Sequence, residues 1–303
     1  MKRFVFFKYV LLSTFTFSGI LSCTPGNGKS PVSTEVQANT KMVSAAPKDV
    51  LLHYWDDFDF KDTVALKNPE IGEQALVDFI AALRKFPDPV SAYAVKHMLS
   101  KAKRYPTSFN YFTQQYAHYL YDPNSPIRND AYYKPVLEFL LDSCVQNDSD
   151  KYRYNSLLTM MKKNSAGTPA TDFEFQLPKG NKGSLYDIDA PFTLLFFYEP
   201  GCPHCEDAID QLQTTPDFQQ LVENGKLFVL AIYATGDRNI WKAYQSHIPG
   251  AWTNGLDRNM QVLHKGLYEI RASPTLYLLD KDKIVLLKDT DLGQVASFFN
   301  AST

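Results

Sequence analysis

Two cysteines separated by two residues, Cys202 and Cys205, are the residues of this chain best suited to covalent chemistry. They follow an apolar run at 192–198 and precede a helical pattern that continues from Glu206. This order predicts a strand, a tight turn and a helix that carries both thiols at its N-terminus, where unpaired N–H groups and the helix dipole stabilise a thiolate. The thiolate is the nucleophile of disulfide exchange. One thiol of such a pair can attack a disulfide, and the other can resolve the mixed disulfide.

Composition limits the classes of function that fit the chain. Its 303 residues, of which 45% are hydrophobic, predict packed cores and about two domains. The net charge of -2 gives no basic surface of the kind that binds nucleic acids. A zinc site at the cysteine pair would need two further ligands, but His247 and His264 lie in unrelated segments. We therefore expect neither a metal nor another cofactor.

Residues 1–22 have the pattern of a secretory signal, with basic residues before an apolar segment from Tyr9 to Leu21. The segment ends in Ile-Leu-Ser-Cys, which resembles the lipobox of bacterial lipoproteins. The resemblance implies cleavage before Cys23 and lipidation of that cysteine; an ordinary cleaved signal and an uncleaved anchor are the alternatives. Residues 23–47 are small and polar and predict a flexible tether. We expect a periplasm-facing protein with a lipid anchor, in the outer membrane rather than the inner.

Residues 48–165 predict an all-α helical domain, because apolar residues recur there at spacings of three and four. Prolines mark the starts and connections of the helices. The predicted helices span residues 50–58, 71–86, 90–103, 107–121, 129–146 and 150–163. Many aromatic residues in this domain fit a packed core, with a groove for peptide or sugar as the alternative. Cys144 is expected to be a core thiol, and a regulatory or intermolecular disulfide is its alternative.

In residues 166–303 the spacing of apolar residues changes to the one typical of β-strands. Apolar and polar residues alternate at 172–177, a turn follows, and a second strand-like segment begins at 184–186. Together these segments predict a hairpin. The remaining predicted elements are strands at 192–198 and 227–233, a helix at 238–247, hairpin strands at 276–279 and 284–287, and a helix at 292–299. The predicted order is a β-hairpin, β-α-β-α, a second β-hairpin and a closing helix.

That order, with the cysteine pair after the first long strand and Ser273-Pro274-Thr275 before a late one, resembles the thioredoxin fold. The additional hairpin and the lipoprotein signal are similar to those of TlpA/ResA-type membrane-tethered thiol-disulfide oxidoreductases. The helical segment is similar, at 53–60 and 121–126, to a domain of uncharacterised function that precedes such domains in bacterial lipoproteins. The resemblance implies an α/β thioredoxin fold behind an all-α domain.

The resemblance also implies roles for residues around the pair. Cys202 becomes the exposed attacking thiol and Cys205 the buried resolving thiol. Pro203 suits the first turn of a helix, where its missing N–H costs nothing. Pro274 corresponds to the cis-proline of the family, with a trans proline as the alternative. The backbone of Ser273 would then pair with an extended segment of the substrate.

Two further residues are expected to tune the site. His204, at the helix start, favours the thiolate of Cys202 as a cation or a hydrogen-bond donor. Thioredoxins place a buried Asp six residues before the first cysteine as a proton relay, and Phe196 occupies that position here. Glu199 is the nearest upstream carboxylate and could substitute through a water molecule. The alternative is that Glu199 is an ordinary exposed loop residue.

The sequence therefore predicts a membrane-tethered thiol-disulfide oxidoreductase of the periplasm. Its expected partners are disulfide-bearing periplasmic proteins and a membrane thiol that donates electrons. The architecture favours a reductase slightly. Cys-Pro-His-Cys is also the motif of the periplasmic oxidant DsbA, so an oxidant is the alternative, although the helical insertion of DsbA has no counterpart here. An alternative of another class is a non-redox binding lipoprotein whose helical domain is the ligand module.

Overall fold

The computed structural model describes residues 47–144 and 148–301. The predicted signal segment, nearly all of the tether, Cys23 and the side chain of Cys144 lie outside the described residues. These described residues form one compact unit. Within the described ranges, no helix combines the length and the apolar character needed to cross a membrane.

The first part of the described chain is helical and has its own core. Its helices are α1 (Pro47–His53), α2 (Thr63–Lys67), α3 (Gln74–Leu83), α4 (Asp88–Ala102), α5 (Pro106–Leu120), α6 (Asp130–Cys144) and α7 (Asp148–Lys162). A π-helical turn at Pro69–Glu73 leads into α3. The buried face of α3 consists of Leu76, Phe79, Ile80 and Leu83, which is the stripe that the spacing predicts.

Two local features of the helical part differ from the sequence prediction. The first helix ends at His53 rather than at residue 58. The chain after it turns, so that the rings of Trp55 and Phe58 pack at 5.2 Å between centroids. The short helix α2 was not predicted. It is stabilised by Asp62, whose carboxylate accepts hydrogen bonds from the backbone N–H groups of two residues in its first turn.

The second part is a seven-stranded mixed sheet with helices on its faces. The strands are β1 (Glu174–Gln176), β2 (Lys182–Ser184), β3 (Phe192–Tyr198), β4 (Leu227–Tyr233), β5 (Thr253–Leu256), β6 (Thr275–Asp280) and β7 (Val285–Thr290). The helices are α8 (Pro203–Thr214), α9 (Pro216–Glu223), α10 (Arg238–Tyr244), α11 (Gln261–His264) and α12 (Leu292–Ala301). The strand order is β2-β1-β5-β4-β3-β6-β7. Strands β3, β4 and β5 are parallel neighbours, and the other pairs are antiparallel.

Strand β3 is central and is covered on both faces. Leu194, Phe196 and Tyr198 pack on the side of α8, α9, α10 and α12, whereas Leu195 and Phe197 pack on the opposite side. A strand that is covered on both faces is apolar at consecutive positions, as residues 192–198 are here. Its carboxyl end is therefore held rigidly at the point where the cysteine pair follows.

The predicted fold class is confirmed, with four differences in detail. The first hairpin is present but short, and Leu185–Asp187 forms a 3-10 turn with a capping box rather than more strand. Helices α9 and α11 and strand β5 were not predicted. Strand β5 is the four-residue sequence Thr-Asn-Gly-Leu, in which Asn and Gly have low strand propensity. Pairing with β4 and β1 on either side forms it instead.

Candidate active site

The cysteine pair lies at the start of α8, directly after β3. Gly201 has a φ of +76°, a left-handed conformation that turns the chain between strand and helix. Cys202 is the extended N-cap residue of α8, and Pro203 occupies the first helical turn. Both Cys202 and Cys205 are free thiols; the first is half-buried and the second is buried. Only the first thiol is therefore open to attack a disulfide in another protein.

A loop before β6 lies against the outer thiol. The sulfhydryl of Cys202 donates to the carbonyl of Ser273 over 3.3 Å. The peptide bond between Ser273 and Pro274 is cis. Antiparallel pairing of β6 with β3 places Thr275 opposite Phe197 and so brings this loop to the dithiol. Among the described residues, the main-chain N–H of Ser273 has no backbone partner, which leaves it available to an added extended segment.

The surroundings of Cys205 disfavour its thiolate. Burial is the main cause that raises its pKa, and the contact with the Cys202 thiol and the negative charge of Glu199 act in the same direction. A backbone hydrogen bond from Glu199 opposes them. Because a thiol must lose its proton before it attacks, Cys205 needs a nearby base for the second step of an exchange.

Glu199 lies close enough to interact electrostatically with Cys205. Its side chain is half-buried, and burial raises the pKa of its carboxyl, opposed by hydrogen bonds with Thr235 and Tyr233. The Thr235 hydroxyl donates to the carboxylate over 3.5 Å. Phe196, where thioredoxins have their buried Asp, is fully buried in the same apolar cluster as Cys205. Neither Tyr233 nor Thr235 was singled out from the sequence, although each is near the end of the predicted strand β4.

His204 lies on the exposed side of the first turn of α8. Within the described chain its imidazole makes no hydrogen bond and no ion pair, so any effect on Cys202 acts through space. Around the dithiol and elsewhere in the described ranges, no group of three or more His, Cys, Asp or Glu side chains could hold a metal ion.

Tyr244 is a neighbour of the dithiol that the sequence did not reveal. Its hydroxyl donates to Glu206 over 3.3 Å, and its ring stacks on His247 with centroids 4.4 Å apart. Burial, followed by the charge of Glu206, raises the pKa of Tyr244 to about 12. The helix that carries it was predicted, but no sequence signal indicates that it packs beside α8.

The helical part of the protein holds the chain that leads into the Ser273 loop. Arg271, two residues before Ser273, has a side chain that is only 5% exposed. It donates to Asp130 of α6 over 2.6 Å and to Glu269 over 2.9 Å. Its guanidinium also lies over the ring of Tyr121, 4.4 Å from the centroid. The loop beside the attacking thiol is thus anchored on the helical region.

These contacts belong to a larger set of charges, which we call the ion cluster. Its members are Arg128, Arg271, Lys288, Asp130, Glu269 and Asp289. Three cations face three carboxylates, so the cluster is balanced. The ammonium of Lys288 also donates to the carbonyls of Met160, Met161 and Lys163 at the end of α7. No spacing in the sequence indicates this cluster, because its residues come from three distant segments.

A solved structure resembles nearly the whole chain. A thioredoxin-like protein from Bacteroides caccae is 35% identical to it, with a TM-score of 0.80, and the match covers 90% of this chain and 100% of that one. The chain belongs to the thioredoxin-like proteins. Residues 44–164 of this thioredoxin-like protein match the family described as "Domain of unknown function (DUF5106)". The predictions of a thioredoxin fold and of an uncharacterised helical domain are confirmed.

Other solved structures match less than half of the chain. The C-terminal domain of an uncharacterized protein from Bacteroides fragilis is 42% identical over 45% of this thioredoxin-like protein and 98% of that chain, with a TM-score of 0.44. A domain of a possible thiol-disulfide isomerase from Cytophaga hutchinsonii is 25% identical over 46% of this chain and 95% of that one, with a TM-score of 0.39. No curated protein matches the chain.

Proposed function

We propose that this thioredoxin-like protein carries out dithiol-disulfide exchange on protein substrates, in the reducing direction. The observation that carries the proposal is the juxtaposition of three groups. A half-buried Cys202 thiol touches the Ser273 carbonyl beside cis-Pro274, and a buried Cys205 thiol lies behind it. This arrangement offers one accessible nucleophile, one resolving thiol and one backbone edge for a substrate.

The exchange proceeds in two displacements. The thiolate of Cys202 attacks one sulfur of the substrate disulfide; that S–S bond breaks, and the other substrate sulfur leaves as a thiolate and takes up a proton. Cys205 then gives its proton to Glu199 through water, and its thiolate attacks the sulfur of Cys202. The second substrate sulfur leaves as a thiolate and takes up the proton that Glu199 releases, and a disulfide between Cys202 and Cys205 closes. Two electrons have passed to the substrate, and a membrane thiol donor returns them.

The surrounding residues assist these steps. Pro203 starts α8 without leaving an unpaired N–H, and the remaining free N–H groups of the first turn favour a thiolate at Cys202. His204 adds positive charge when protonated. Ser273 pairs its backbone with the substrate segment, and Pro274 holds that edge against the thiol. Glu199 acts as the proton acceptor for Cys205.

The proposed place of action rests on the first residues of the chain. We propose that Cys23 becomes the lipidated N-terminus and anchors the protein, facing the periplasm, with the outer membrane favoured. The lipobox-like Ile-Leu-Ser-Cys sequence supports this. Its partners would be disulfide-bearing periplasmic proteins and a membrane thiol donor. Growth with an alkyne-tagged fatty acid should label the wild-type protein but not Cys23→Ala; a wild-type protein that takes up no label would contradict the lipid anchor.

A trapping experiment tests the chemistry. Cys205→Ser removes the resolving thiol, so mixed disulfides through Cys202 should accumulate in cells and disappear on reduction. The matched control is the double variant with Cys202→Ser as well, which should capture nothing. If the single variant also captures no partner, disulfide exchange is wrong.

The reduction potential decides the direction. A potential near the roughly -270 mV of thioredoxin supports a reductase, and one near the roughly -120 mV of DsbA supports an oxidant. Equilibration of the purified protein with glutathione buffers measures it directly.

A further inference from the structure

A groove runs between helix α7 and residues 263–271, and we call it the α7 groove. Its larger part encloses about 650 Å³, and an adjoining part that shares Tyr152 and Met160 encloses about 510 Å³. Apolar side chains are exposed along it: Tyr152 is 76% exposed and Leu263 is 40% exposed. A concave surface with exposed aromatic and aliphatic groups is typical of a binding site.

Hydrogen bonds join the two walls of the α7 groove. The ammonium of Lys163 donates to the carbonyl of Gly266 over 2.6 Å. The side-chain amide of Asn164 donates to the carbonyl of Leu267 over 2.8 Å. Lys288 binds carbonyls at the end of α7 as well. The groove is therefore formed before any ligand arrives, which lowers the entropy cost of binding.

The larger part of the α7 groove borders the segment that continues into the Ser273 loop. Ile270 and Arg271 line its larger part, and Ser273 follows two residues later. Two residues of extended chain span at most about 7 Å. The Ser273 carbonyl is itself 3.3 Å from the Cys202 sulfur. A polypeptide whose cysteine reacts at Cys202 therefore reaches the groove within a few residues.

The rim of the α7 groove carries an excess of positive charge. Its cations are Lys151, Arg153, Lys163, Lys265 and Arg271; Arg153 pairs with Asp150 of the same helix, and Lys163 donates to the Gly266 carbonyl. The carboxylates that line it are Asp148 and Glu269, and the second of these is already paired with Arg271. Such a rim attracts acidic side chains and repels basic ones.

We propose that the α7 groove binds the segment that flanks the reacting cysteine of a protein substrate, and that it selects segments with acidic side chains. This inference rests on the proposed exchange reaction. It gives the helical region a role in the recognition of substrates: α7 supplies one wall of the groove and several of its cations.

Two disulfide-linked peptides test the inference. Both carry a cysteine in an extended sequence; one has Asp and Glu at roughly three to six residues from it, a distance set by about 3.3 Å per residue, and the other has Lys there. Stopped-flow fluorescence gives the second-order rate constant at which each peptide oxidises the reduced protein. Bis(2-hydroxyethyl) disulfide, which is too small to reach the groove, is the reference substrate.

Two variants test the role of charge, one in the rim of the groove and one outside it. In the groove variant, Lys151→Glu and Lys265→Glu, both exposed, replace two cations of the rim; the control, Lys226→Glu and Lys281→Glu, changes two exposed lysines outside the groove and alters the net charge equally. For wild type and control we expect the acidic peptide to react about five- to tenfold faster than the basic one, because exposed charge pairs each contribute modestly. The groove variant should lose or reverse this preference. Its rate with the small disulfide should stay unchanged.

The outcomes separate the two proposals. If the protein reacts with all three disulfides but shows no preference between the peptides, the α7 groove does not select substrates. The same holds if the control variant alters the preference as much as the groove variant does. If the reduced protein reacts with none of the three disulfides, the proposed exchange reaction fails, and the role of the groove fails with it.

Discussion

Removal of one charge from the ion cluster should destabilise the protein measurably. Glu269 is 7% exposed and accepts hydrogen bonds from Arg271 over 2.9 Å and from the Tyr121 hydroxyl over 3.1 Å. The substitution Glu269→Gln keeps the shape of the side chain but leaves three cations facing two carboxylates. Breaking a buried pair costs about 3–5 kcal/mol in the free energy of unfolding. Asp130 still neutralises Arg271, so we expect the lower end, about 3 kcal/mol.

This loss of free energy of unfolding corresponds to a shift in Tm that calorimetry can measure. For a protein of this size, about 1 kcal/mol lowers Tm by roughly 2–4 °C, so Glu269→Gln should lower Tm by about 6–12 °C. The matched control is Glu174→Gln, which removes a solvent-exposed ion pair with Lys182 and should leave Tm nearly unchanged. If both variants melt within a degree or so of each other, the cluster does not stabilise the contact between the helical part and the sheet.

Further outcomes follow from the dithiol and its supporting strand. Glu199→Gln should slow the resolving step about 100-fold in acid-quench kinetics. Because burial raises the pKa of Glu199, the wild-type rate should rise with pH as that carboxyl ionises, and a variant that keeps this rise would contradict the relay. His204→Gly should make the reduction potential more negative in glutathione buffers, since the imidazole that favours the Cys202 thiolate is lost; an unchanged potential would rule out His204 as the tuning residue. Leu194→Ala in β3 should cost about 2–5 kcal/mol in urea unfolding, and a loss below about 1 kcal/mol would show that the strand repacks.

Local sequence patterns predict the parts of the site that are contiguous in the chain. The apolar run, the cysteine pair and the amphipathic pattern after it define β3, the turn and α8 in order, so the position of Cys202 at the helix start follows from the sequence. The approach of Ser273 to that thiol follows only from the family resemblance, because 71 residues separate them.

The remaining contacts depend on pairings that no local pattern encodes. Tyr233 reaches Glu199 because β4 lies parallel to β3 in a register that places Tyr233 beside Tyr198. Arg271 meets Asp130 across 141 residues, and a charged residue in a polar stretch looks the same whether it ends in solvent or in a buried cluster. Burial of such residues is decided by how the two parts pack together.

The covered outer edge of β7 keeps two copies of the protein from pairing through their sheets. This strand ends the sheet, and an uncovered edge invites a strand from another molecule. Here Gly167 and Ala170 donate backbone hydrogen bonds to Val285 and Lys283, and Arg128 donates to the Asp289 carbonyl. The connection from the helical region thus occupies groups through which two sheets would join. A fragment that begins after Ala170 would lose this cover, and edge-to-edge dimers would become possible.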